Sequence, residues 1–221
     1  MTTAEFVASV YLKSTGEVST LTSSDSDYTK IVQIGNMQID AFANEQDSDW
    51  ETLYDPGVTN GTITATDTFD LDNSINKISN QADDFVQVTH TDGTTITNYQ
   101  TVPARRLKTY TEGRYCARVG KTLKFNKVFT ALDPEFGGTL TVPAYLYPSH
   151  LVKATDVVPV DNPQWLVVIT AAQWVQTDVT LSQNYPALVN EANSLMVAMK
   201  QANNAQEATV DLGQVGISTN W

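Results

Sequence analysis

The sequence predicts an α+β fold: a helical bundle formed by N- and C-terminal helices with an inserted antiparallel β domain and an extended C-terminal tail. Three observations lead there. Apolar residues recur at three- and four-residue spacing toward both ends of the chain; between them the period shortens to two and Gly, Pro and Asp punctuate the pattern. The two patterns are also segregated, where an alternating α/β scaffold would interleave them. On this reading residues 1–56 and 157–202 form the bundle, 57–156 the β domain and 203–221 a C-terminal extension.

The first helix lies in TAEFVASVYLK, with Phe6, Val7, Val10 and Tyr11 on its apolar side, Thr2 or Thr3 as cap and Gly16 near its end. A longer one, capped by Ser26 or Asp27, runs to about Gln46 and buries Tyr28, Ile31, Val32, Gly35, Ile39 and Phe42. Gly35 weakens that helix but permits another backbone to approach closely. Pro56-Gly57 ends the helical turn around Trp50, Leu53 and Tyr54. Ile63, Ala65, Phe69 and Leu71 alternate with Thr and Asp as in a half-buried strand. Phe85–His90 and Thr94–Val102 flank Asp92-Gly93, and Tyr115–Val119 and Thr122–Asn126 flank Gly120-Lys121, which are two hairpin signals. Thr139–Ala144 is a last strand, placed at an edge or an end by Pro143.

Beyond an irregular return, Asp161-Asn162-Pro163 is a helix start, since the first two offer capping oxygens and proline is tolerated at the first helical position. Trp165, Leu166, Val167, Ile169, Ala171, Ala172, Trp174 and Val175 make this helix apolar almost all round, more than a helix on a monomer's surface requires. Asn184-Tyr185-Pro186 opens an amphipathic helix with Leu188, Ala192, Leu195, Met196 and Met199 on one face, ending near Ala202. Trp165, Ile169, Trp174, Leu188, Leu195 and Met199 are the expected bundle core. In the tail, Val210, Leu212, Val215, Ile217 and Trp221 are apolar, strand-prone and without a partner in sequence, so they are candidates for pairing with an exposed sheet edge, the chain's own or a neighbour's, the alternative being a frayed terminus.

Thirteen Lys and Arg stand against twenty-five Asp and Glu, for a formal charge of −12. Tight wrapping of nucleic acid is disfavoured by that balance. The cations gather at Arg105, Arg106, Lys108, Arg114, Arg118, Lys121, Lys124 and Lys127, either a solvated face of strands or a docking patch for an acidic partner. A run able to span a bilayer and a secretory leader are both lacking in the pattern, so a soluble, unprocessed protein is expected.

Few groups offer chemistry. One cysteine, Cys116, and two histidines, His90 and His150, leave metal chemistry thinly supplied, and no metal or cofactor is expected. Cys116 sits between Arg114 and Arg118, whose charges would favour a thiolate if it were exposed, but an ordinary packed cysteine is the expected reading. Asp47, Asp49 and Glu51, and again Asp70, Asp72 and Asn73, are acidic knots without the spacing of a calcium loop. Asp83-Asp84 is a carboxylate pair without a glycosidase context. Glycine motifs for dinucleotides or phosphate and a nucleophile elbow are absent.

The segments FVASVYLKSTG, IVQIGNMQIDAFANEQDSDWETLYDPG, TDTFDLD, ARRLKTY, VFTALDPEFGGTLTVPAYLYP, VDNPQWLVVITAAQWVQTD and NYPALVNEANSLM together resemble the head-to-tail adaptor (neck, or head-completion) proteins of short-tailed bacteriophages, over nearly the whole chain. The resemblance implies a non-enzymatic structural virion protein, assembled in the host cytoplasm. Its copies join in a ring, expected to be a dodecamer, that links the portal at the capsid vertex to downstream tail, nozzle or fibre proteins and extends the DNA channel without specific DNA binding. It also implies a bundle, a β domain and a C-terminus that holds neighbours. The acidic charge suits a channel wall that repels phosphates. Another tail or baseplate ring component, or a carbohydrate-binding or hydrolytic virion module, are the alternatives.

Overall fold

A computed structural model describes residues 1–45 and 48–212, with side chains as far as Asn204. The chain divides into two compact units, one of Met1–Thr52 with Pro148–Trp221 and one of Leu53–Tyr147.

Among the described residues of the first unit four α-helices form, α1 (Thr3–Thr15), α2 (Ser26–Ala43), α3 (Pro163–Val175) and α4 (Tyr185–Leu212). Local chemistry sets their ends. Thr2 and Glu5 cap α1 reciprocally: the Glu5 N–H donates to the Thr2 hydroxyl oxygen at 3.3 Å and the Thr2 N–H to the Glu5 carboxylate at 2.8 Å. Gly16 ends α1 at φ 79°, a left-handed conformation that side chains resist. Asn162 caps α3, accepting from the Gln164 N–H at 3.0 Å, with Pro163 at its first position. Asp25, and neither Ser26 nor Asp27, occupies the N-cap position of α2, but its carboxylate instead accepts from the N–H and hydroxyl of Thr22.

The other three helices all pack on α3. Nine of its thirteen residues are buried, among them Trp165, Leu166, Val168, Trp174 and Val175, while Ile169 is half-buried. Its all-round apolar surface is therefore covered within the subunit and is no surplus left for a neighbour. Phe42 stacks on Trp50 with ring centroids 4.4 Å apart and lies 5.8 Å from Trp165, and Tyr11 lies 5.8 Å from Trp174. At Gly35 the close approach is made by a ring and not by backbone: a Cβ there would stand 2.8 Å from Phe6 Cε1.

The second unit is an eight-stranded sheet of β1 (Tyr54–Thr62), β2 (Thr68–Asp70), β3 (Ile75–Ile78), β4 (Phe85–Thr89), β5 (Ile96–Thr101), β6 (Tyr115–Val119), β7 (Thr122–Phe125) and β8 (Thr139–Leu146). Its order is β1-β8-β4-β5-β6-β7-β2, with β3 also on β8. Both hairpin turns lie where the sequence places them, around Asp92-Gly93 and Gly120-Lys121. The main core comprises Val86, Val88, Tyr99, Cys116, Leu123, Phe125, Phe129, Leu140 and Val142 among others. Phe69, Tyr99, Phe125 and Phe129 meet edge to face there.

The expected fold class needs correction. The sheet is mixed, because β5 and β6 run parallel, pairing Gln100 with Tyr115 and Thr101 with Cys116. Residues 102–114 form a crossover that returns the chain in the same direction, and no two-residue hairpin signal marks such a connection. With eight strands and its own core, the sheet is a principal unit and no small domain inserted in a bundle. The C-terminal segment is not extended at its start: α4 continues ten residues past Ala202, to Leu212.

Both prolines are accommodated by unpaired positions. Pro56-Gly57 lies inside β1, at the register shift between Asp55 and Val58 on an outer strand. Pro143 lies within an internal strand, β8. On one side β4 pairs with residues 139–141 and β3 with 144–146, and on the other the β1 bulge skips from Val142 to Ala144. Its missing N–H thus faces no acceptor, while its carbonyl accepts from the Ser79 N–H at 2.9 Å.

Candidate interaction surfaces

Several of the groups singled out for chemistry are engaged in structure. Cys116 is fully buried, and desolvation pushes its thiol up to about 12. The neighbouring arginines do not activate it, because β6 points Cys116 into the main core while Arg118 turns to the Gly120 and Asn76 carbonyls. His90 Nε2 meets the Thr97 hydroxyl and His150 Nε2 the Asp40 carboxylate, each at 2.8 Å. Asp72 accepts from the N–H and hydroxyl of Ser74, which hold its carboxyl below the usual range, and Asp84 accepts from the Tyr54 hydroxyl at 2.7 Å. Asp47 lies outside the described residues. Among those described, no group of three or more His, Cys, Asp or Glu is arranged to hold a metal ion.

A partly buried polar network occupies the β unit. The Tyr99 hydroxyl donates to Glu135 at 3.1 Å, and Lys127 reaches Glu135 at 3.2 Å and Asp133 at 3.0 Å. Burial pushes the Glu135 carboxyl up, but its own backbone N–H, Lys127 and Tyr99 together outweigh that and leave it lowered. The Tyr99 hydroxyl is raised, by burial first and then by the Glu135 charge. Every member has a partner, which is how a charge is kept inside a core.

The surfaces are more distinctive. Nine of the thirteen Lys and Arg fall in Leu53–Tyr147 against ten of the twenty-five Asp and Glu, so that unit is close to neutral. The helical unit holds the other four cations against fifteen carboxylates. Nearly all of the net charge therefore resides on one unit.

Within the β unit the cations divide again. Lys124 pairs with Asp67 at 3.2 Å and Lys127 is in the network above. Arg105, Arg106, Lys108 and Arg114 are exposed and form no ion pair among the described residues. Three of them ride on a short 3-10 helix, Ala104–Thr109, and not on strands. That turn is anchored by buried Leu107, packed with Val102 and Ala117 on the opposite side of the sheet from Cys116. Tyr110 and Tyr115 brace it, their ring centroids 4.3 Å apart. Asn126 ties the crossover down by donating to the Tyr110 and Gly113 carbonyls at 2.9 and 3.1 Å.

The helical unit carries a groove that no local motif announces. It is lined by Glu51, Thr52, Asp161, Asn162, Ala198, Met199, Ala202 and Asn203, with a volume of about 560 Å³. Asn203, buried, accepts from the Glu51 N–H at 3.1 Å and donates to the Asp49 carbonyl at 2.8 Å, so one side of the groove is fixed to α4. The Glu51 and Asp161 side chains form no ion pair among the described residues. Asp161 reads in sequence as a cap, Glu51 as part of an acidic knot and Asn203 as the first residue of a tail; nothing local joins positions this far apart.

Of the expected core, Trp165, Trp174, Leu188 and Met199 are buried and Leu195 and Ile169 half-buried. Of the tail, Val210 and Leu212 lie on helical backbone and not on a strand. Val215, Ile217 and Trp221 lie outside the described residues.

No protein-family model and no curated protein matches this chain. No helix among the described residues is long and apolar enough to cross a membrane.

Proposed function

We propose that this chain is a structural virion protein, the subunit of an adaptor ring that joins the portal at the capsid vertex of a short-tailed bacteriophage to its tail and extends the DNA channel. The observation that carries the reading is the placement of the segments resembling such adaptors. They supply most of α1, α2, α3 and the first part of α4 in one unit, and β2, the exposed 3-10 turn and β8 with its approach in the other. The likeness thus spans the frameworks of both units and does not rest on one shared helix. The charge distribution supports it, because a strongly acidic helical unit gives a ring one face that DNA phosphates do not adhere to.

The test is direct. Purified protein mixed with the portal of its phage should bind it and, in electron microscopy, add a coaxial ring beneath it. Absence of binding at micromolar concentrations, or binding as isolated copies around the portal, would defeat the proposal.

A further inference from the structure

Resting on the ring reading, we propose that the Arg105-Arg106 turn of one subunit seats in the Glu51/Asp161 groove of a second copy of this chain, forming the contact between neighbours. Several independent features meet in this pairing. The cations and the carboxylates are both without ion-pair partners within the subunit among the described residues. The chain segregates its charge between its units, so copies repel where two helical units face each other and far less where a helical unit meets the nearly neutral β unit, whose unpaired arginines then supply the attraction.

The shapes of the side chains also agree. Arginine combines an apolar stem with a planar fork of donors, and the groove offers two carboxylates together with the apolar surfaces of Met199 and Ala202. The donor turn is held by Leu107 and the Tyr110–Tyr115 pair, and the acceptor by Asn203, so little order has to be created on docking. Because knob and groove belong to different surfaces, the contact is heterologous, the kind that closes rings when its rotation permits. A nucleic acid would find the same arginines, but it would leave the Glu51/Asp161 groove without a cationic counterpart, which a second copy supplies.

The experiment uses the full chain and two double charge reversals, R105E/R106E and E51R/D161R, each followed by mass photometry and sedimentation velocity. All four altered side chains are exposed and outside the two cores, and circular dichroism checks that each variant folds. The wild type should self-associate, and more strongly in about 50 mM than in about 500 mM salt. Each variant alone should associate more weakly by on the order of 100-fold, since one partner now meets its own sign. Mixed in equal amounts they should associate again, because every knob then finds an oppositely charged groove in an alternating assembly.

A variant that assembles like the wild type, or a mixture that fails to recover, overturns the inference while leaving the ring reading standing on some other contact. A wild type that stays monomeric even with the portal overturns both. If R105E/R106E abolishes binding of a short DNA duplex and leaves self-association unchanged, the turn is a nucleic-acid contact and the inference is wrong.

Discussion

Replacing Gly35 by alanine sets two effects of opposite sign against each other. Gly35 lies in the middle of α2, where alanine should gain about 1 kcal/mol in helix propensity. The added Cβ, however, would stand 2.8 Å from Phe6 Cε1 and 2.9 Å from Cζ, against the roughly 3.5–4.0 Å at which carbon atoms pack best. Phe6 is fully buried on α1, so its ring can yield only by displacing other packed atoms. Overpacking of this kind costs about 1–3 kcal/mol, leaving Gly35→Ala destabilised by about 1 kcal/mol net. Urea unfolding followed by tryptophan fluorescence measures this in the right place, because no tryptophan lies in Leu53–Tyr147. In a Phe6→Leu background the obstruction is gone and the same change should become stabilising, a coupling of about 2 kcal/mol between the sites. Stabilisation by Gly35→Ala in the wild type, or no coupling, would refute the packing of α1 against α2 described above.

Other expectations are simpler. Trp165→Ala and Trp174→Ala should each cost about 3–5 kcal/mol of stability, and unchanged melting in both would mean that α3 is not at the centre of its unit. The Cys116 thiol, raised to about 12 from an ordinary 9.0, keeps its proton in the folded state where the unfolded state has lost it. Its contribution is therefore intact below about pH 9 and declines between about 9 and 12, so wild type should lose stability over that range relative to Cys116→Ala; equal slopes would contradict its burial. The same thiol should be inert to a disulfide reagent at neutral pH until the protein is unfolded. Chelators should leave the cooperative thermal transition in place, and its loss would reveal a structural metal ion.

Much of the fold was legible because its signals are short-range. Thr2 with Glu5, Gly16, and Asn162 with Pro163 state helix ends through bonds spanning two to four residues, and Asp92-Gly93 and Gly120-Lys121 state turns through backbone preference alone. The uninterrupted apolar run of α3 likewise identified a helix to be buried, whatever covered it. Pro143 marks the limit of such rules: it argues for an edge only if its N–H would otherwise be paired, and the β1 bulge and the gap between β3 and β4 remove that condition. The parallel pairing of β5 with β6 was equally invisible, since a crossover of more than a dozen residues carries no dipeptide signature.

The sequence alone determined the caps of α1 and α3, the two hairpins, the acidic balance and the presence of a cationic stretch, because each depends on neighbours along the chain. Tertiary structure alone decided which arginines remain unpaired, that the Gly35 gap is filled by Phe6, and that Glu51, Asp161 and Asn203 share one groove. Those facts depend on which distant segments meet in space, and a pair of side chains brought together by folding leaves no periodicity for a linear reading to find.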